Sequence, residues 1–512
     1  MNRLHAIDYT VILLVLAATL YLGFRFANRQ NSTENFFLAR GHFPSWALGL
    51  SLLSTLISSV TFLGYPAQGF TSNWILLVQG FMVPVVLAGA IWFIVPLYRR
   101  VIGLSTYEYF EKRFGVFSRY YSSSSFLLRQ FAGMGTVLFL IAAAINSITG
   151  LNAYYVLVLV GLILALVNLK GGMHAVIWLD VFQGFMLFAS GILCLAILFT
   201  SIRGGVPEAL KVAKETQHSG FGPYTLNLSQ LTLSVMIING AFYAIQKYAT
   251  DQTVVQRYLT ARTDRSAIRA SLMGILLAVP VWTMFMFIGT GLFVLYKQTG
   301  LPAGMRAEQV FPHFMITRLP TGVVGFIIAA LISAAICSLS ADLNALAAVG
   351  VEDYYKKIKP NRPDRQYLLA GKVMVVISAM ISVGIGAIYL YTGSEGVLGL
   401  IFTIYAIFSG GVVGIFLLGF CSSRANRQGV NIGIIACILF TAYALLTSTP
   451  VGTQHKKLLV DFGRYNFTHH KLMLGVYSHL IVLGVGYLAS LFFPKPTLEP
   501  NLVYSRHAAV QA

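Results

Sequence analysis

Charge is what this chain has least of. Only 10% of its 512 residues are Asp, Glu, Lys or Arg, against about 25% in soluble proteins, whose surfaces face water on every side. That composition excludes a soluble enzyme and a secreted scaffold. Cysteine is scarce too: Cys194, Cys337, Cys421 and Cys437 lie in apolar stretches with no paired spacing, which excludes a disulfide framework and a zinc site. No GxxxxGK[ST] motif occurs, so ATP is not an expected partner. Inside the apolar stretches there is no His/Asp/Glu metal cluster and no nucleophile beside a base, so the chain is not expected to be an enzyme. Acids number 17 against 36 bases, a formal charge of +19. In a soluble chain that excess would point to nucleic acid, but membrane loops carry Lys and Arg for topology. No nucleic acid is expected.

What is present is apolar. Hydrophobic residues make up 57%, in recurrent runs of bilayer length, and a lipid bilayer is the solvent that stabilises them. The fold class is an all-α polytopic membrane protein. Its spans are read at 8–27, 45–70, 74–97, 120–148, 152–169, 175–201, 228–248, 267–296, 321–349, 368–391, 396–420, 431–447 and 471–493. They form one transmembrane domain over 1–493, followed by a short polar cytoplasmic tail at 494–512. The first span has no small-residue cleavage site before the polar stretch Asn28 to Asn35, so it reads as a retained helix. The spans 45–70 and 228–248 are the weakest, since each mixes small and polar residues into its apolar pattern. Loops on alternate sides differ in Lys and Arg content by about two to one, with Arg99, Arg100, Lys112, Arg113, Lys356, Lys357, Lys359 and Arg362 on the richer side. This puts the N-terminus outside and the C-terminus inside the cytoplasmic membrane of a bacterium.

Charges at membrane depth cost at least roughly 2.5 to 3.5 kcal/mol each and are functional candidates by default. They are Arg129, Asp180, Lys247, Asp251 and Asp342. Lys247 and Asp251 stand four residues apart, where they can pair across one helical turn, and Arg129 can snorkel to the inner surface. Asp180, in AVIWLDVFQGF, has no base one turn away; a lone buried carboxylate protonates or finds a cation, so a metal ion or a proton is expected there. Two stretches are rich in hydroxyls: Ser51 to Phe70, with Ser54, Thr55, Ser58, Ser59 and Thr61, and Ala329 to Tyr355, with Ser333, Ser338, Ser340 and Asp342. Small residues serve close helix packing. A helix interrupted near Ser54 would also free carbonyls which, with hydroxyls on a facing helix, suit a hard cation.

From Asp8 to about Phe493 the chain resembles the sodium:solute symporters, the family of the sodium/glucose, proline, iodide, multivitamin and sialic acid transporters. The resemblance rests on SSVTFLGYPAQGF, STYEYFEKRFG, GGMHAVIWLDVFQG, DQTVVQRYLTAR, IIAALISAAICSLSADLNALAAVGVEDYY and GGVVGIFLLGF, in that order. It implies a LeuT-type fold: an extra helix at 8–27, inverted five-helix repeats at 45–201 and 228–420 whose first helices are broken at midmembrane, and additional helices at 431–493. The two weakest spans occupy corresponding positions in the halves, which is the best sequence pointer to a binding site.

The resemblance further implies a sodium-coupled symporter. Its shared sodium site falls on Ser54, Ile57, Ala334, Cys337 and Ser338; Cys337 departs from the pattern, since a hydroxyl usually stands there and a thiol is a poor sodium ligand. A second sodium site matches Asp180 and Ser340, with Asp342 beside an alanine at a further hydroxyl position. Sialic acid members hold the substrate carboxylate with an arginine where this chain has Gly133; Arg129 lies one turn earlier, and Lys247 falls at an inner gating position. Ser58, Thr61, Gln79, Phe242 and Tyr243 complete the expected cavity for a small polar solute, a sugar or sugar acid. The rivals are a proton-coupled or uniport carrier in which Asp180 titrates, and a solute sensor without transport. Substrate identity, sodium number and oligomeric state stay open at this point.

Overall fold

In lipid no water answers a bare N–H or C=O, so a chain this apolar satisfies its backbone within helices. A computed structural model describes residues 4–26, 31–41, 43–392, 410–448, 450–451 and 457–504. Over them the protein is helical apart from loops and one two-residue pairing of Pro450–Val451 with Lys457–Leu458. Helix α1 runs Ala6–Arg25. Helices α2 (Ser45–Leu56) and α3 (Val60–Thr71) form one span bent by 57°. They are followed by α4 (Leu77–Val101), α5 (Tyr107–Phe114), α6 (Val116–Thr149) and α7 (Ala153–Ser201). The second half holds α8 (Leu233–Ile245), α9 (Gln252–Thr260), α10 (Asp264–Thr299), α11 (Ala307–Arg318), α12 (Val323–Val349), α13 (Asp364–Thr392) and α14 (Val412–Cys421). Helices α15 (Arg427–Ser448) and α16 (Lys471–Ser490) close the chain.

Among the described residues nine helices are long and apolar enough to cross a membrane, and the bent pair α2–α3 adds a tenth span. Helix α7, 49 residues long, contains two crossings, because at Gly172 its backbone turns to φ 52°, ψ −156°, a region open to glycine. That break separates the predicted spans 152–169 and 175–201. Counting also α8–α9 and the short apolar α14, which do not reach bilayer length by themselves, the crossings come to about thirteen. The predicted span 396–420 lies outside the described residues as far as 409.

The span predicted at 228–248 needs correction. Helix α8 widens into a π-turn at Gln246–Thr250, breaks at Asp251 (φ −93°, ψ 117°) and resumes as α9. Hydropathy ends at 248 because the next residues are polar. Yet Gln252, Thr253 and Gln256 are fully buried and Arg257 is 1% exposed, so these side chains face protein rather than lipid.

Each broken helix packs on the second helix of the other half: α2 and α3 on α10, α8 on α4. Helix α7 packs on α12, and α6 on α13, so the halves interlock in the reciprocal way inverted repeats require. At the α3–α10 crossing the backbones nearly touch. A Cβ on Gly289 would stand 2.2 Å from the Pro66 carbonyl oxygen, and one on Gly69 would stand 2.3 Å from that of Met286.

At the end of the bundle that carries α5, Arg119 pairs with Asp353 and Glu111, and Lys357 donates to Glu111 at 2.7 Å. Burial works against the Glu111 carboxylate, but the Lys357 and Arg119 hydrogen bonds outweigh it and hold its pKa below the ordinary value. This network therefore persists until pH falls through that lowered value. Residues 495–504 fold back onto the same end. The Tyr109 hydroxyl donates to the Leu502 carbonyl at 3.0 Å, and the Tyr504 N–H donates to that of Phe420 at 2.8 Å.

Gly289→Val should destabilise the protein by about 1–3 kcal/mol through overpacking at the α3–α10 contact. Thermal melts of the purified variant should show a lowered transition; an unchanged one would mean that the two helices do not meet this closely.

Candidate functional site

The first break lies at Ile57, whose φ −114° and ψ 122° end α2. The last carbonyls of a helix lack intrahelical partners, and here they open beside α12 and α7. Ser54, Ile57, Ala334 and Cys337, four of the five residues expected for the shared sodium site, line one cavity of about 10 Å³ with Gln183, Gly184, Leu53 and Leu187. The Ser54 hydroxyl donates to the Asp180 carbonyl at 2.7 Å. Ser338, the fifth, donates to the Ala335 carbonyl at 3.2 Å and lines the neighbouring larger cavity.

Asp180 corrects the expectation of a lone carboxylate. The Arg257 guanidinium of α9 donates to it at 2.9 Å, both side chains being wholly buried, and Ser51 and Cys337 donate to it as well. Arg257 also donates to the Ser51 hydroxyl at 2.8 Å and to the Thr253 carbonyl at 2.6 Å. Its place 77 positions from Asp180 made the pairing invisible along the chain. The other residues of the expected second sodium site lie elsewhere: Ser340 accepts from Asn168 at 3.0 Å, and Asp342 faces the larger cavity. Asp342 does not join Asp180 because it stands five residues on from Cys337, the α12 residue that meets that carboxylate, and so about 140° round the helix.

The larger cavity, of about 120 Å³, gathers Ser58, Thr61, Gln79, Arg129, Tyr243 and Lys247 with Asp342 and Ser338. Phe242 does not join them; its ring stacks on His479 of α16 at 5.4 Å, since adjacent helix positions point about 100° apart. Thr55, from the hydroxyl-rich stretch, lines the cavity too, and so do Gln130, Tyr65 and Trp282, which the sequence had not singled out as site residues. Gln79 is held by Asn239, which donates to it at 2.9 Å. Gly133 also lies on this wall, and a Cβ there would meet nothing within 4 Å.

Behind this cavity sits Asp251. Its carboxylate accepts from Lys247 at 3.0 Å, from Arg129 at 2.8 Å and from the Thr253 N–H at 2.9 Å. It thus caps the start of α9 while joining two cations, one from its own broken helix and one from α6. The predicted Lys247–Asp251 pair is present. Arg129 does not snorkel; it turns inward to the same acid.

Paired broken helices from interlocked repeats, with an ion-sized cavity beside a solute-sized one, define a secondary transporter of LeuT type. The profile of the sodium:solute symporter family matches residues 36–437, and the chain belongs to that family. The sodium/sialic acid symporter SiaT of Proteus mirabilis is 31% identical over 439 residues, 85% of this chain and 88% of that protein. The sodium/sialic acid symporter NanT of Aliivibrio fischeri is 29% identical over 491 residues, 95% and 93% of the two chains. The solved structure of a Na+-coupled sialic acid symporter, substrate-bound and outward-open, superposes with a TM-score of 0.87 at 28% identity, covering 97% of this chain and all of that one. A nucleobase-cation-symport-1 family transporter in a closed conformation, 13% identical with a TM-score of 0.58 over 90% and 96% of the chains, shares the fold alone. The protein is a multi-pass membrane symporter coupled to sodium, not an enzyme.

Arg257→Met should strand the buried Asp180 carboxylate and lower stability by about 3–5 kcal/mol. Adding Asp180→Leu removes the stranded charge and should recover most of that loss. Melts of the single and double variants decide it: a double variant no better than the single would show that the ion pair is not what the site rests on.

Proposed function

We propose that this symporter imports a hydroxyl-rich sugar acid of the sialic acid class with sodium, through the cavity between α2–α3, α6, α8 and α12. The observation that carries this is the pair of cations, Arg129 and Lys247, converging on one acid at the wall of a cavity otherwise lined by hydroxyls, amides and aromatic rings. A solute carboxylate entering beside them gains charge-assisted hydrogen bonds. Ser58, Thr61 and Gln79 meet hydroxyls, Asp342 accepts from a hydroxyl or amide N–H, and Tyr243 and Trp282 cover the ring. The kinship with two sodium/sialic acid symporters supports the same class.

Sodium is held in this reading by Ser54, Ile57 and Ala334 of the small cavity together with Ser338, which lines the larger cavity beside it. Ile57 and Ser58 are neighbours on the unwound stretch, one lining each cavity. An ion that fixes the Ile57 carbonyl also fixes where Ser58 points, so each ligand orders the other's site. Linkage then makes the gain in affinity equal in both directions. Rocking of the packed helices around this fixed pair of sites exposes them alternately to the two sides of the membrane. The chain works as one transmembrane domain, with the N-terminus outside and the C-terminus inside the cytoplasmic membrane, as the basic residues near α5 and α12 support.

Lys247→Gln should weaken binding of a sialic acid to the purified protein about 10- to 150-fold, the equivalent of the roughly 1.5–3 kcal/mol of a hydrogen bond to a charged group. Binding of its methyl ester should change little. Calorimetric titration in sodium checks this, and a wild-type protein that prefers the ester, or binds neither, would overturn the sugar-acid reading. Ser338→Ala should raise the sodium concentration for half-maximal uptake in reconstituted vesicles while the melting temperature without sodium stays put. Unchanged sodium dependence would remove Ser338 from the site.

A further inference from the structure

Gln183 stands on α7 one turn after Asp180, in the stretch AVIWLDVFQGF. Its side chain is 2% exposed, and neither its amide oxygen nor its amide nitrogen has a hydrogen-bond partner. Buried side-chain amides nearly always find partners. This one lines the small cavity with Ser54, Ile57, Ala334 and Cys337. Its neighbour Gly184 lets α7 approach closely, since a Cβ there would stand 3.1 Å from the Ser54 hydroxyl. With no bond at either end, the amide is free to turn its carbonyl oxygen to the cavity.

The opposite wall is short of oxygen. Residue 337 carries a thiol, a soft group, and that thiol is already committed to the Asp180 carboxylate. We infer that the Gln183 Oε1 is a sodium ligand that takes the place of a hydroxyl at 337. This rests on the sodium site proposed above and adds to it a residue from a third helix, α7. A neutral carbonyl ligand fits a monovalent ion, because it adds an oxygen without adding charge beside the Asp180–Arg257 pair.

The test uses the full chain in nanodiscs and 22Na+ binding without solute, with choline replacing sodium. Gln183→Met keeps length and removes the oxygen. It should raise the sodium Kd about tenfold, the equivalent of about 1.4 kcal/mol, while the melting temperature in choline stays equal or rises, since two unpartnered polar atoms are gone. Cys337→Ser supplies the hydroxyl and should tighten sodium. In that background Gln183→Met should cost less than about threefold, because the two oxygens substitute for one another. Wild-type sodium affinity in Gln183→Met, a tenfold loss in both backgrounds, or a lowered melt in choline would each overturn the inference while leaving the site itself in place. Absence of saturable sodium binding by the wild type would instead overturn the sodium-site reading. Gln183→Glu gives a second readout. It should keep sodium binding but make it fall as pH drops through the new carboxylate's titration, and a pH-independent isotherm would count against a ligand at 183.

Discussion

A helix that unwinds inside a membrane leaves backbone groups that no water can satisfy. The structure depends on how two such breaks are answered. At the first, the Ile57 N–H reaches back to the Ser54 carbonyl at 3.3 Å, and the Ser58 hydroxyl accepts from the Val60 N–H at 3.2 Å. At the second, Asp251 accepts from the Thr253 N–H and so starts α9. An acid in that place needs cations, and Lys247 and Arg129 supply them. The charges beside the larger cavity are thus tied to the cap that lets α8 and α9 exist as two half-helices.

The two breaks are also tied to each other. Arg257 of α9 donates both to Asp180 of α7 and to Ser51 of α2, and the Ser51 hydroxyl donates to the same carboxylate. Three helices from both repeats meet at this point, at full burial. A buried pair of this kind is costly to break and adds little to net stability when intact. Its consequence is register: it fixes the α2 carbonyls against α7 and α12, where the small cavity lies. The glycine contacts of α3 with α10 hold the far side of the same broken span.

In the proposed reading, coupling follows from adjacency rather than from a long path. Residues 57 and 58 belong to one unwound stretch and line different cavities, and residues 337 and 338 do the same on α12. With the sites proposed above, ion and solute act on the same few dihedrals. A ligand shifts a conformational balance only by its difference in affinity between the states. In the proposed reading both ligands favour the arrangement in which this stretch is ordered.

The solvent, the helical class and the paired weakness of the spans beginning near 45 and 228 were legible along the chain, because burial in lipid is written into composition and local hydropathy. The chain's motifs also marked Ser54, Ile57, Ala334, Cys337, Ser58, Thr61, Gln79 and Lys247, which the fold gathers into two adjoining cavities. It took the packed helices to reveal that Asp180 is paired with Arg257, that Arg129 turns inward to Asp251, that Phe242 leaves the cavity for His479, and that α9 continues a span whose hydropathy had ended. The reason is the same in each case. Hydropathy along the chain records which residues lipid would reject, whereas polar side chains inside a membrane protein are admitted by partners from distant helices, and those distances exist only once the helices have packed.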